Sequence, residues 1–462
     1  MKKEIVVLVP YPAQGHVLPM QKLAWALIGQ GYDAVIVVPE FMERQIIKGK
    51  GDGDGDDEVK WVGLEDGLSL EEKGMRSPDF FGIEWAMEQS MPSELAGLLR
   101  KLGEEAHVAC LVVDLLASWA LQVADTCAIP SAGFWPAMFA SYLFIQAIPH
   151  MLTRRLISPS GLPEYEGKFR LEADLPLIST EDLPWLVGTD AARKARFKFW
   201  KRTMERSTSL KWLLVNSFPD ESKVLEHQTA VTSQGCPSPR VFPIGPINIC
   251  QHPLTKYVSF WEEDLSCLKW LAIQKPNSVV YISFGSWVSP IGESKLKNLA
   301  LALEASGRPF LWVLRSTWRQ GLPHGFLERV AKNGRGRIVS WAPQNQILQH
   351  NSVACYITHC GWNSIFEALQ FQKKLLCYPV AGDQSVNCAY VVQVWKVGLK
   401  LNGLELKDVE DGLVRVIEDK EMDTRLRKLH EKIMGVKDGN NKTGSFMLKM
   451  FVEDLKKNRK ST

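Results

Sequence analysis

Short apolar runs, most of them β-branched, alternate with segments of helical spacing along both halves of this chain, and few folds accept that order. Ile5–Val9 is the first run, after which Met20, Leu23, Ala24, Leu27 and Ile28 recur at the spacing of a buried helix face. Gly31 closes that helix and Ala34–Val38 is the next strand. Ala109–Val113, ending at Asp114, and Leu213–Val215 continue the theme. Strand–helix–strand order calls for parallel pairing, because the crossover is right-handed and long enough to hold a helix. A second series follows: strand Val279–Ser283, a helix over Lys295–Ala305, strand Phe310–Leu314, then Ile338–Val339, Ala354–Thr358 and Leu375–Tyr378.

Between the two series lies Cys236–Pro253, which carries Pro237, Pro239, Pro243, Pro246 and Pro253. Proline at that density neither continues a helix nor pairs in a sheet, so the linker is expected there. A chain of 462 residues also suits two cores better than one. The expected fold class is therefore α/β: two doubly wound domains facing each other. The domains should span 1–240 and 259–440, with 241–258 as linker and 441–462 as a terminal helix that packs back on the first domain. Ligands of such sheets bind beyond the carboxyl ends of the strands, which puts the expected site in the cleft.

Charge narrows the partners. Fifty-five basic against fifty-two acidic residues leave a formal charge of +3, with no concentrated basic field to hold nucleic acid. The basic run Arg193–Arg202 reads as a solvated helix face with Phe197, Phe199 and Trp200 turned inward. Nine scattered cysteines form no CxxC pair, so neither a disulfide scaffold nor a zinc site is indicated, and a reducing compartment fits. The first apolar run is cut at Pro10 and Pro12, too soon for a signal peptide, and no transmembrane segment is expected. A cytoplasmic monomer is the expectation. The acidic stretch Gly49–Glu58 opens like a calcium loop with Asp52, Asp54 and Asp56. Asp57 stands where that loop needs glycine and Gly63 where it needs glutamate, so a solvated loop is expected. Asn441-Lys442-Thr443 is a glycosylation sequon that should stay unmodified without secretion.

Two places carry chemistry. His16, in PYPAQGH, follows the first strand and precedes the first helix, at the rim where ligands bind. It is either a proton acceptor or a structural turn residue. Asp114 ends a strand at the same rim, as a carboxylate partner that fixes the imidazole tautomer or as a helix N-cap. In the second half, strand Ala354–Thr358 runs into His359-Cys360-Gly361-Trp362-Asn363-Ser364 and then a helical run. A glycine-bearing turn feeding a helix offers backbone N–H groups and the positive dipole end to a phosphate. Glu367 near that helix end either accepts ribose hydroxyls or serves as a cap. GxGxxG and GxxxxGK[ST] patterns are absent, which argues against hydride transfer and ATPase chemistry.

The stretch WAPQNQILQHNSVACYITHCGWNSIFEALQFQKKLLCYPVAGDQ, Trp341 to Gln384, resembles from end to end the 44-position signature box of plant UDP-dependent glycosyltransferases. PYPAQGH, DLLASW, SFGS and FLWVLR extend the likeness. The resemblance implies the GT-B fold, two facing Rossmann-like domains, the first taking the acceptor and the second the UDP-sugar. It implies that Trp341 stacks on uracil, that the backbone of Ala342 and Gln344 hold base and ribose, and that Glu367 binds the ribose hydroxyls. His359, Asn363 and Ser364, around Gly361, and Ser286 of the SFGS turn would hold the diphosphate. Trp362, Asp383 and Gln384 would touch the sugar. His16 would be the general base and Asp114 its partner in one inverting displacement. No metal or resident cofactor is implied; the UDP-sugar is a co-substrate, and Gln384 favours glucose.

Three departures from the family pattern stand out. Phe371-Gln372-Lys373-Lys374 replaces an Ala-Gly-Val-Pro turn, Ile365 a threonine, and Gly382 an alanine. The partners expected are a UDP-sugar and a small hydrophobic acceptor. Phe80, Phe81, Trp85, Phe134, Trp135, Met138, Phe139, Tyr142 and Trp287 either wall its pocket or fill a core. Two rival readings keep the scaffold and change the chemistry, one a UDP-sugar epimerase or hydrolase that needs no acceptor, the other a non-catalytic binding protein.

Overall fold

The computed structural model describes residues 3–49, 59–67, 80–173, 175–219, 221, 238–247, 259–286, 291–435 and 443–461. It divides into two compact units, Met1–Tyr142 with Lys198–Phe260 and Gly439–Thr462, and Leu143–Phe197 with Trp261–Asp438.

In the first unit seven strands pair in parallel: β1 (Glu4–Val9), β2 (Asp33–Pro39), β3 (Val59–Leu64), β4 (His107–Asp114), β5 (Ser131–Trp135), β8 (Trp212–Val215) and β9 (Arg240–Pro243). Their order is β3-β2-β1-β4-β5-β8-β9. The winding runs outward from β1 through β2 to β3, then restarts on the other flank of β1 with β4. Two apolar faces explain why β1 and β4 read as unbroken hydrophobic runs rather than as alternation. Met20, Leu23 and Leu27 of the helix Gln14–Ile28 cover the sheet together with Met447, Leu448, Phe451, Val452 and Leu455 of the terminal helix Gly444–Ser461. Phe451 is fully buried, edge-on to Trp212 at 5.8 Å and Phe242 at 5.7 Å.

The second unit repeats the plan. Its sheet comprises β10 (Val279–Ser283), β11 (Phe310–Val313), β12 (Gly336–Val339), β13 (Val353–Thr358), β14 (Lys374–Cys377) and β15 (Gly398–Lys400), all parallel, in the order β12-β11-β10-β13-β14-β15. Winding again reverses beside the opening strand, between β10 and β13. Ile282, Trp312, Ile357 and Leu376 meet Leu299, Leu303, Val409 and Leu413 from the covering helices.

Several elements differ from the sequence expectation. Arg240–Pro243, expected as the start of the linker, is the edge strand β9, with Pro243 at its last position, where a missing N–H costs little. β3, β5 and β15 went unread because each is short or interrupted by glycine. Residues 143–197, expected in the first domain, cluster with the second unit. There the short pair β6 (Lys168–Phe169) and β7 (Ile178–Ser179) lies, the Gln393 amide brackets the Leu177 backbone at 3.0 and 2.8 Å, and Ser385 bonds Asp182 at 3.0 Å. In the helix Asp190–Arg206, Phe197 and Phe199 are buried, and Arg202 and Arg206 pair with Glu84 and Glu88. The acidic stretch 50–58, Asn441, Lys442 and Trp287 lie outside the described residues. No helix among the described residues is long and apolar enough to cross a membrane.

The atypical turn at 371–374 keeps a glycine-like backbone without glycine. Gln372, exposed, holds φ at +52°, and the next two side chains are buried lysines. Lys373 Nζ donates to the carbonyls of His350 and Val353, both at 3.1 Å. Lys374 Nζ donates to those of Ile417 at 3.1 Å and Asp419 at 2.8 Å, and pairs with Asp423 at 3.0 Å. Each ammonium ties the start of β14 to carbonyls of neighbouring segments, which offsets the cost of its burial. A left-handed residue with a Cβ is strained, so Gln372→Gly should stabilise the second unit by about 0.5–1 kcal/mol, read from urea unfolding. A loss of stability would mean that the Gln372 side chain contributes more than its backbone costs.

Candidate active site

Both reversals of winding place loops where ligands of such sheets bind. In the first unit β1 and β4 lie side by side and their following loops diverge. The chain after β1 turns through Tyr11 into the helix Gln14–Ile28 and puts His16 in its first turn, while β4 ends at Asp114. His16 Nδ1 lies 2.7 Å from Asp114 Oδ2. The same oxygen accepts the Tyr11 backbone N–H at 3.3 Å, and Oδ1 accepts that of Leu116 at 3.0 Å. Asp114 is completely buried, whereas the His16 side chain is 22% exposed. Both readings of Asp114 therefore hold: it caps the short turn Leu115–Ala117 with one oxygen and engages the imidazole with the other. An ionised carboxylate only accepts, so the neutral ring carries its hydrogen on Nδ1, and Nε2 is left as an acceptor.

Tyr11 was not singled out from sequence, although it stands in the same PYPAQGH segment. Its ring meets His16 edge-on at 5.4 Å and packs on Phe80 at 5.6 Å, which continues to Phe199 at 5.1 Å. Of the aromatic candidates, Phe134, Trp135, Met138, Phe139 and Tyr142 are core residues, and Trp85 is 68% exposed. Phe80 and Phe81 are half-buried and meet edge-on at 5.3 Å.

In the second unit the loops after β10 and β13 part in the same way. Gly285, at φ +78°, passes so close to His359 that a Cβ there would stand 2.6 Å from its Nε2. A Cβ on Gly361 would stand 2.3 Å away. Two glycines thus bracket one imidazole. Burial pushes its pKa down to about 4 against a smaller opposing contact with the Ser283 backbone, so the ring is neutral at physiological pH. Its Nδ1 is buried without a hydrogen-bond partner among the described residues. Gly361 N-caps the helix Trp362–Gln370 without a side chain, leaving the dipole's positive end to a ligand.

Gln344 is the hub of the next layer. Its Oε1 accepts the hydroxyls of Tyr281 at 3.0 Å and Tyr356 at 3.1 Å, and its Nε2 donates to Glu367 Oε2 at 2.8 Å and Ser364 Oγ at 3.3 Å. Those four bonds use up the amide. The side chain expected to hold base and ribose thus positions Glu367 and Ser364. Trp341 packs against Trp261 with ring centres 4.5 Å apart, next to the buried Ala342, and its carbonyl accepts the Asp264 N–H at 3.1 Å. Arg315 lies over Trp261 at 4.4 Å and donates to the carbonyl of Ser286. Sequence reasoning missed both residues, although Arg315 ends the FLWVLR segment.

The remaining box residues divide by what they can present. Trp362, expected against the sugar, has its ring buried and stacked on Phe366 at 5.0 Å. Asn363 is half-buried on the first helical turn. Gln384 Oε1 accepts the N–H groups of Val380 and Ala381, both at 2.9 Å, so its amide nitrogen is what it has to offer. Asp383 accepts from Asn387 at 2.8 Å.

Comparison with known proteins follows the same lines. The profile of the UDP-glucoronosyl and UDP-glucosyl transferase family matches residues 256–434. UDP-glycosyltransferase 82A1 of Arabidopsis thaliana is 50% identical over 447 residues, 94% of this chain and 95% of its own. Medicago truncatula UGT71G1, solved with UDP-glucose, is 22% identical with a TM-score of 0.78, over 98% of each chain. A UDP-glucosyltransferase from Polygonum tinctorium capable of glucosylating indoxyl is 23% identical with a TM-score of 0.80, over 98% of this chain and 99% of its own. The fold is of the GT-B class.

The buried imidazole makes a prediction. His359 titrates near 6.5 in the unfolded chain and near 4 in the folded one, so between those values the unfolded state binds more protons. Its stability contribution is intact above pH 6.5 and is lost as pH falls through that window, by about 3 kcal/mol at the bottom. Urea unfolding from pH 7 to pH 4 should show a steeper loss in the wild type than in His359→Gln. Equal slopes would remove His359 from that role.

Proposed function

The chain belongs to the plant UDP-glycosyltransferase family, and on that premise we propose that it transfers glucose from UDP-glucose to a hydroxyl of a small apolar acceptor, inverting the anomeric carbon. Support for the donor comes from the UDP-glucose complex of the Medicago truncatula relative in fold, and for a small flat acceptor from the indoxyl activity of the Polygonum tinctorium enzyme. The observation that carries the reading is the 2.7 Å contact between His16 and the fully buried Asp114.

The acceptor hydroxyl bonds to His16 Nε2. As its oxygen attacks the anomeric carbon, the proton passes to Nε2 and the bond from carbon to the UDP oxygen breaks on the opposite face. Asp114 stays ionised and stabilises the imidazolium that forms. UDP gains negative charge as it leaves, which the dipole of the helix Trp362–Gln370, the neutral His359 and the Ser364 hydroxyl oppose. Glu367, oriented by Gln344, takes the ribose hydroxyls, and the Gln384 amide nitrogen donates to the sugar. Phe80, half-buried and packed on Tyr11, supplies apolar surface for the acceptor.

His16→Ala should lower kcat for transfer by about 10²- to 10⁴-fold, while the affinity for UDP measured by calorimetry stays as it is. Asp114→Asn should lower kcat in the same direction without changing UDP affinity. Product analysis by mass spectrometry and NMR should show a β-glucoside. Turnover retained by His16→Ala would end its role as base. Consumption of UDP-glucose without an acceptor product would instead favour a hydrolase or epimerase.

A further inference from the structure

Three thiols that take no part in the proposed transfer converge within the second unit. Cys360 follows β13, Cys377 ends β14, and Cys388 lies in the helix Gln384–Ala389. Their sulfurs all lie within 4.8 Å of one another. All three are free thiols, Cys360 and Cys377 fully buried and Cys388 2% exposed. The segments that carry them are tied together without any help from sulfur. β13 and β14 pair with Thr358 opposite Cys377; the Cys360 N–H donates to Thr358 Oγ1 at 3.1 Å; and its carbonyl accepts Asn387 Nδ2, also at 3.1 Å. Cys360 is held at φ +68°, a conformation a cysteine adopts only under constraint.

A single buried cysteine packs as a small hydrophobe. Three sulfurs meeting at one point resemble a ligand set, because a pyramidal three-coordinate centre with sulfur bonds of about 2.3 Å holds its sulfurs about 3.5 Å apart. No histidine, carboxylate or fourth cysteine atom joins the group among the described residues, which disfavours zinc, whose closed sites take four ligands. A divalent ion on three thiolates would also leave a net negative charge in the interior, at high cost. A trivalent centre on three thiolates is neutral. We propose that Cys360, Cys377 and Cys388 form a site for a trivalent thiophilic metalloid of the arsenite class. Arsenous acid exchanges three As–O for three As–S bonds, the three thiol protons leave with its hydroxyls as three waters, and no electrons are transferred. The site stands independently of the transferase reading, since its test reads binding alone.

The full chain, reduced with a phosphine, is incubated with arsenite and read by native mass spectrometry. The expected adduct is one arsenic per chain with the loss of three hydrogens. It should be absent in Cys388→Ala and in Cys377→Ala, each checked for folding by circular dichroism, and should persist in Cys127→Ala, which removes a half-buried thiol elsewhere. No uptake by the wild type, an adduct that keeps a hydroxyl and so uses two thiols, or uptake retained by folded Cys388→Ala would each overturn the proposal.

Discussion

Parallel strands need crossovers long enough to hold a helix, and where the winding reverses, two neighbouring loops must leave the sheet in opposite directions. Each unit has one such place, between β1 and β4 and between β10 and β13. His16 and Asp114 flank the first, and the Phe284–Ser286 turn and the His359–Asn363 turn flank the second. The functional residues therefore sit where topology leaves backbone and side chains uncovered, rather than where any local sequence preference would put them.

Burial then decides what each group can do. Asp114 is wholly removed from water, and three groups converge on it: two backbone N–H groups and an imidazole. His359 is removed from water with only a contact to the Ser283 backbone to oppose that, and stays neutral. The same residue type thus has opposite environments in the two units, one beside a buried anion and the other wedged between two glycines. Gln344 shows a third outcome, in which all four hydrogen-bonding positions are filled by protein and the residue acts by orienting Glu367 and Ser364. Lys373 and Lys374 show that a turn can lose glycine and proline and still hold its shape, since their ammonium groups bond carbonyls of adjacent segments.

Much of this was legible in one dimension. Strands buried on both faces read as continuous apolar runs, so β1, β2, β4, β10, β11 and β13 were found within a residue or two of their ends. β5 and β15 were not: SAGFW and GLK owe their strand state to neighbours on the sheet rather than to their own composition. Proline density misplaced the linker at β9, because a strand at the sheet's edge tolerates what a central one does not.

Local order and chemistry lie along the chain, and the sequence alone determined both: the alternation that yields two parallel sheets, and the segments around His16, Asp114 and Trp341 to Gln384 on which the proposed site rests. Contacts between residues far apart in sequence were decided only in three dimensions. His16 and Asp114, 98 positions apart in sequence, close to 2.7 Å because adjacent parallel strands bring their ends together. Saturation of Gln344, the part played by Arg315 and Trp261, and the meeting of Cys360, Cys377 and Cys388 follow from the same cause. Spacing along a chain says nothing about distance once a sheet has folded it back on itself.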